Sequence, residues 1–95
     1  LENHYAPRAT VLLNQTPSPG QGFIAMADIQ SDDGVIRLAA PKTHEEFARV
    51  LYTAFRAADE LGLLTIVVEP PHGTEIAIAI YDRLNKAAKK WKPKK

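Results

Sequence analysis

The segment 43–68 constrains the fold of this chain more than any other, because it has the pattern of a helix followed directly by a buried strand. Thr43 and Glu46 have the spacing of a capping box, in which each side chain binds a backbone amide left free at the start of a helix. Gly62 is placed to end that helix. The near-continuous apolar run 63–68 is typical of a central strand covered on both faces. The apolar face of the predicted helix consists of Phe47, Val50, Leu51, Ala54, Phe55, Ala58 and Leu61.

Shorter apolar stretches around this unit predict three more strands and a second helix. The predicted strands are residues 10–14, 23–27 and 35–38. Residues 76–80 alternate as a strand would, but the residues after them favour a helix. One long helix from about Thr74 to about Lys90 is therefore the simpler interpretation. Its apolar stripe would be Ala77, Ile80, Leu84, Ala87, Ala88 and Trp91.

This order of elements predicts an α/β fold, specifically a small Rossmann-like sandwich of two or three layers with a mixed sheet and two main helices. The loop 15–22 is shorter than the dozen residues that a parallel crossover usually needs. We therefore expect the first two strands to be antiparallel if they pair. The strand ending at Glu69 is expected to be the central one.

Composition excludes several classes of protein. The 95 residues include no cysteine, which excludes disulfides and thiolate metal sites. No apolar run is long enough to cross a bilayer and no signal peptide opens the sequence, so we expect a cytoplasmic protein without membrane contact. The net charge is +1, but five of the lysines lie in residues 89–95, and the rest of the chain is acidic. The body of the chain is therefore not a basic nucleic-acid platform.

Catalytic and metal-binding motifs are not found. His4, His44 and His72 lie far apart in sequence and lack the spacing of metal ligands. His44 is interpreted as a surface residue of the first helical turn. The pair Gly20 and Gly22 leads into a strand instead of a helix, so it fails as a phosphate loop. We predict no catalytic residue, no metal site and no cofactor in this chain.

One loop is placed where α/β domains bind ligands, beyond the carboxyl end of a central strand. It is the segment 69–75, EPPHGTE, in which Glu69, His72, Gly73 and Thr74 form a candidate ligand loop. The start of the second helix would offer free amides to an anion. The two glutamates oppose an anion, so the alternative is a rigid loop with a helix cap. If the loop is a ligand site, the chain would act as a free-standing nucleotide-binding module.

The C-terminal lysines leave a second alternative open. The segment KKWKPKK, residues 89–95, would contact RNA through phosphate neutralisation and stacking of Trp91, or would serve as a protein-interaction tail. The alternative is a solvated helix end with Trp91 packed on the core.

Three stretches resemble the C-terminal domain of the two-domain threonylcarbamoyl-AMP synthases. HYAPRA, residues 4–9, is similar to the hinge of that family. LYTAFRAADELGLLTIVVEPP, residues 51–71, is similar to its first helix and the strand after it, and YDRLNKAA, residues 81–88, to its last helix. The chain differs from the family at residues 73–76, where a Gly-Leu-Gly stretch is usual, and has no helix between its first two strands.

The resemblance implies a role in tRNA modification. Such enzymes condense threonine, bicarbonate and ATP, used with magnesium, to threonylcarbamoyl-AMP, and partner proteins then transfer the threonylcarbamoyl group to a tRNA adenosine. The catalytic residues belong to a YrdC-type domain that precedes the hinge in cis. The chain is then a non-catalytic C-terminal regulatory or lid domain, with a hinge at residues 1–9, an α/β domain at 10–91 and a basic tail at 92–95.

The resemblance also implies roles for hinge residues. Tyr5 would cover the adenylate, with His4, Pro7 and Arg8 beside it as the rest of the nucleotide lid. An aromatic lid would exclude water from a labile mixed anhydride, and a proline-stiffened linker loses little entropy on docking. The alternative is that Tyr5 packs the linker onto its own domain.

Overall fold

The computed structural model describes the backbone of residues 5–90 and the side chains of residues 5–88. The described residues form an α/β fold with two helices, as predicted. In chain order, the elements are β1 (Thr10–Leu13), β2 (Gly22–Ile24), β3 (Ile36–Ala39), α1 (His44–Glu60), β4 (Thr65–Val68) and α2 (Glu75–Lys90).

The four strands form one sheet in the order β1-β4-β2-β3. The strand that ends before Glu69 lies inside the sheet, as predicted. Each described strand pair is parallel, so the predicted mixed sheet is wrong. The first two strands do not pair with each other, because β4 lies between them.

The prediction of strand direction was wrong because β2 is short. The register places Gly22 and Val11 level with each other on either side of Ile66. After Leu13 the chain therefore has to run back along the strand direction by only about two residues. Across the sheet it has to pass two strand spacings, or about 10 Å. The connection 14–21 spans that distance without a helix. The connection is shorter than a usual parallel crossover because it runs back over only about two residues of strand.

Both helices pack on one face of the sheet, which makes a two-layer sandwich. Val11, Ile24, Ile66 and Val68 face the helices and share a core with them. The core residues that the helices contribute are Phe47, Leu51, Tyr52, Ala54, Phe55, Ala58, Ile80, Leu84 and Ala87.

The opposite face of the sheet is covered by chain connections. Phe23 and Val67 are buried there, and Ile29 and Val35 from the connection between β2 and β3 pack against them. Arg37 lies over the Phe23 ring at 5.1 Å and donates to the carbonyls of residues 25, 26 and 39. Burial lowers the pKa of Arg37 below its ordinary value. The arginine fixes this connection against the sheet.

Helix α1 has the predicted ends. The Thr43 hydroxyl accepts from the Glu46 amide at 3.0 Å, and the Glu46 carboxylate accepts from the Lys42 amide at 2.9 Å. Gly62 follows the helix in a left-handed conformation, with φ of 74°, which glycine adopts without strain. Leu61 was predicted on the buried face but is 61% exposed, because the helix ends one residue before it.

Helix α2 confirms the helical interpretation of residues 76–80. In a strand, Ile78 and Ile80 would share one face. Instead Ile80 is buried and Ile78 is 70% exposed. Trp91 lies outside the described residues. No helix within residues 5–90 combines the length and the apolarity that a membrane crossing requires.

Candidate functional site

The hinge residues that the structure describes are attached to the end of α1. The Tyr5 hydroxyl donates a hydrogen bond to the carboxylate of Asp59. The guanidinium of Arg56 lies over the Tyr5 ring, 5.7 Å from its centroid, which is a cation–π distance. Arg56 and Asp59 are three residues apart and therefore share one side of α1. Tyr5 thus packs on its own domain in this structure.

Arg8 reinforces the same attachment. Its backbone amide donates to the two carboxylate oxygens of Asp59 at 3.0 and 3.3 Å. Its guanidinium reaches the Asp59 carbonyl at 3.5 Å. The last turn of α1 contains no basic residue of its own. Arg8 therefore supplies the positive charge that favours a helix C-terminus. We call Tyr5, Arg8, Arg56 and Asp59 the hinge anchor.

The hinge continues directly into the core. Pro7 is fully buried and Ala9 is 2% exposed. The Thr10 amide donates to the Leu64 carbonyl at 2.9 Å, where the sheet begins. A cavity of about 450 Å³ lies beside the anchor, and the 84% exposed Leu64 forms part of its wall. His4 lies outside the described residues, so its predicted place in the lid stays a prediction.

The hydrogen bond to Asp59 raises the pKa of Tyr5 above its ordinary value. Partial burial and the negative charge of Asp59 act in the same direction, while Arg8 and Arg56 oppose it. At neutral pH Tyr5 is therefore a neutral hydrogen-bond donor. A neutral phenol with a charged acceptor makes a stronger hydrogen bond than two neutral groups do.

The candidate ligand loop lies at the carboxyl ends of the strands, at the opposite end of β1 and β4 from the hinge anchor. His72 and Gly73 line a shallow groove of about 310 Å³ together with Asn14, Pro71, Ala77, Ile78 and Tyr81. Asn14 has a left-handed conformation, with φ of 59°, and this ends β1 one residue earlier than predicted. The groove has a largely apolar wall, with Ile78 and Tyr81 both exposed.

Thr74 is engaged as a helix cap. Its hydroxyl accepts from the Ala77 amide at 3.1 Å. It also lies 2.8 Å from Nδ1 of His44, a partly buried residue at the start of α1. His44 was predicted to be only a surface residue of the first helical turn. Its contact joins the start of α1 to the cap of α2, although His44 and Thr74 are 30 residues apart in sequence, and no local sequence pattern signals it.

Glu69 is separate from the groove. Its amide donates to the Ile24 carbonyl at 2.9 Å, and the prolines that follow it are buried. Of the four residues of the candidate loop, His72 and Gly73 therefore line the groove, Thr74 caps α2, and Glu69 belongs to the connection after β4. The ligand-binding role of this loop stays a prediction.

The structure does not bring the two predicted sites together. The hinge anchor lies at the amino edge of the sheet, before β1 and β4, and the groove lies at the carboxyl edge, after them. Four residues of strand separate the edges, or about 13 Å. Asp59 and Arg56 were not predicted as site residues. Their signal was present in the sequence, because both belong to the helix stretch that resembles the family.

Comparison with known proteins agrees with these motifs. The family model described as threonylcarbamoyl-AMP synthase, C-terminal domain, matches residues 1–89. The matched residues include the hinge, the helix that carries Arg56 and Asp59, and α2. No curated protein and no solved structure matches the chain.

Proposed function

Because the chain belongs to the family of threonylcarbamoyl-AMP synthase C-terminal domains, we propose that it is the non-catalytic lid domain of that enzyme. The enzyme acts in the threonylcarbamoyl modification of tRNA adenosine. In this proposal a YrdC-type domain, linked through the hinge, makes threonylcarbamoyl-AMP from threonine, bicarbonate and ATP. Downstream proteins then accept the threonylcarbamoyl group for transfer to tRNA.

ATP and its magnesium are assigned to the catalytic domain. Within residues 5–90, no group of three or more His, Asp or Glu side chains is arranged to hold a metal ion. The contribution of this chain is to close the nucleotide site and to exclude water from it. A mixed anhydride is hydrolysed when water reaches it, so closure protects the product.

The observation that carries the proposal is the grouping of Tyr5 with two arginines at the point where the chain enters the domain. Tyr5 is only partly buried, so the part of its ring that Arg56 and the core leave uncovered offers an aromatic surface. Arg8 and Arg56 add positive charge beside it. An aromatic ring flanked by cations suits a nucleotide, since the ring stacks on a base and the guanidinium groups attract a phosphate.

The test is the lifetime of threonylcarbamoyl-AMP in the full-length synthase carrying Tyr5→Ala. We expect the bound intermediate to hydrolyse or escape roughly tenfold faster, because the aromatic cover is lost. Tyr81→Ala removes an exposed tyrosine at the opposite edge of the sheet and is the matched comparison, with no change expected. Normal synthesis and a normal intermediate lifetime in Tyr5→Ala would exclude the lid role. A shorter lifetime in Tyr81→Ala alone would favour the groove instead.

A further inference from the structure

We propose that Asp59 is a positioning residue that attaches hinge residues 5–8 to the α/β domain, so that hinge and domain move as one rigid body. Residues 5–8 then do not act as the pivot of any domain motion. The consequence of this attachment for the reaction rests on the proposed lid function.

One carboxylate holds two points of the hinge. Asp59 accepts from the Tyr5 hydroxyl and from the Arg8 amide. Both hydrogen bonds have an ionised acceptor, which makes them stronger than bonds between neutral groups. The Asp59 carbonyl accepts from the Arg8 guanidinium and from the Gly62 amide as well. A single residue at the end of α1 therefore fixes a side chain, a backbone amide and a guanidinium of the hinge.

Residues 7, 9 and 10, which lie between and after these contacts, are also fixed to the domain. Pro7 has a fixed φ and is fully buried. Ala9 is buried in the helix-facing core, and the Thr10 amide is bonded to the carbonyl of Leu64, the residue before β4. Each of residues 5, 7, 8, 9 and 10 thus has its own fixed contact with the domain. Rotation about this segment would break several contacts at once.

Arg56 completes the attachment from the same side of α1. It lies over the ring of Tyr5, while Asp59 holds the hydroxyl. Ring and hydroxyl are therefore both oriented by α1. If Tyr5 covers the adenylate, the domain must carry the ring there, and loss of Asp59 should affect the reaction in the same way as loss of Tyr5.

The first experiment measures backbone order in the 95-residue chain by ¹⁵N relaxation. In the unaltered chain we expect the amides of Tyr5, Ala6 and Arg8 to show order parameters near about 0.85, as in rigid backbone. In Asp59→Ala they should fall below about 0.6, while α2 is unchanged. Glu60→Ala removes the neighbouring exposed carboxylate and should leave residues 5–8 ordered. Low order in the unaltered chain, or unchanged order in Asp59→Ala, would overturn the proposal.

A second pair of variants covers the case in which Asp59→Ala unfolds the chain. Asp59→Asn retains one carbonyl acceptor, so it should give an order parameter between those of Asp59→Ala and the unaltered chain. Tyr5→Phe removes only the hydroxyl and should loosen Tyr5 more than Arg8. Equal order at residues 5–8 in both variants and in the unaltered chain would also overturn the proposal.

The second experiment separates this inference from the lid function. In the full-length synthase, Asp59→Ala should shorten the lifetime of threonylcarbamoyl-AMP and leave the KM for ATP unchanged. The double variant Tyr5→Ala/Asp59→Ala should be no worse than Tyr5→Ala, because both residues act as one unit. Additive losses would refute a joint action. Loss of order in the chain with normal lifetimes in all variants would keep the attachment and reject the lid.

Discussion

The two edges of the sheet differ in how their polar groups are used. At the amino edge, the hinge anchor joins charged and polar side chains from two segments far apart in sequence, with Asp59 accepting from both Tyr5 and Arg8. At the carboxyl edge, the Thr74 hydroxyl is engaged as a helix cap and the groove wall is largely apolar. The amino edge thus uses its polar residues to attach the hinge segment, whereas at the carboxyl edge Thr74 begins α2 and contacts His44 of α1.

This difference bears on where function lies. In parallel α/β sheets, ligands usually bind beyond the carboxyl ends of the strands. In this chain the residues that resemble the family hinge and helix meet at the amino edge. The proposed lid role requires a firm attachment where the chain enters the domain, and the charged contacts of the hinge anchor lie there.

The largest expected effect concerns α2, whose two sides face the core and the groove. Leu84→Ala should lower the free energy of unfolding by about 3 kcal/mol, because Leu84 is fully buried and its truncation leaves a cavity. Ile78→Ala, on the exposed side of the same helix, should change it by less than about 0.5 kcal/mol. Urea denaturation measures both. A cost above about 1 kcal/mol for Ile78→Ala would show that the groove side is covered in solution.

A smaller effect is expected at the cap of α2. Thr74→Ala should lower the free energy of unfolding by about 1 kcal/mol, because the Ala77 amide loses its acceptor. Thr74→Ser keeps the hydroxyl and serves as the control. The order of residues 5–8 should be the same in both variants, since the two edges are independent. Loosening of the hinge by Thr74→Ala would contradict that independence.

The smallest effect is a difference in alkaline stability. The folded chain holds the Tyr5 proton more tightly than the unfolded chain does, because its pKa is raised above 10.0. The stability that this contributes is complete below pH 10 and is lost as the pH rises through the folded-state pKa. Burial also raises the pKa of Tyr52, so both tyrosines contribute to the loss.

Tyr5→Phe should therefore lose less stability above pH 10 than the unaltered chain does. Thermal unfolding at a series of alkaline pH values measures the difference. If stability falls equally steeply with pH in Tyr5→Phe and in the unaltered chain, the Asp59 contact is weak in solution.

Local chemistry made most of the fold predictable. The Thr43 capping box, Gly62 and the apolar periodicity gave α1 its bounds to within a residue or two, because helix ends depend on nearby groups. The near-continuous apolar run before Glu69 identified the interior strand, because such a run is typical of a strand covered on both faces. The hinge was recognised from its residues and not from any periodicity.

What the sequence determined by itself is the set of elements, the helix caps and the family. The direction of the strands was decided by the tertiary structure, because the short β2 begins only about two residues back from the end of β1 and a short connection can reach it across β4. The meeting of Tyr5 with Asp59 and of His44 with Thr74 was decided there too. Such contacts join residues far apart in the chain, and they form only when packing of both helices on one sheet face brings those residues together.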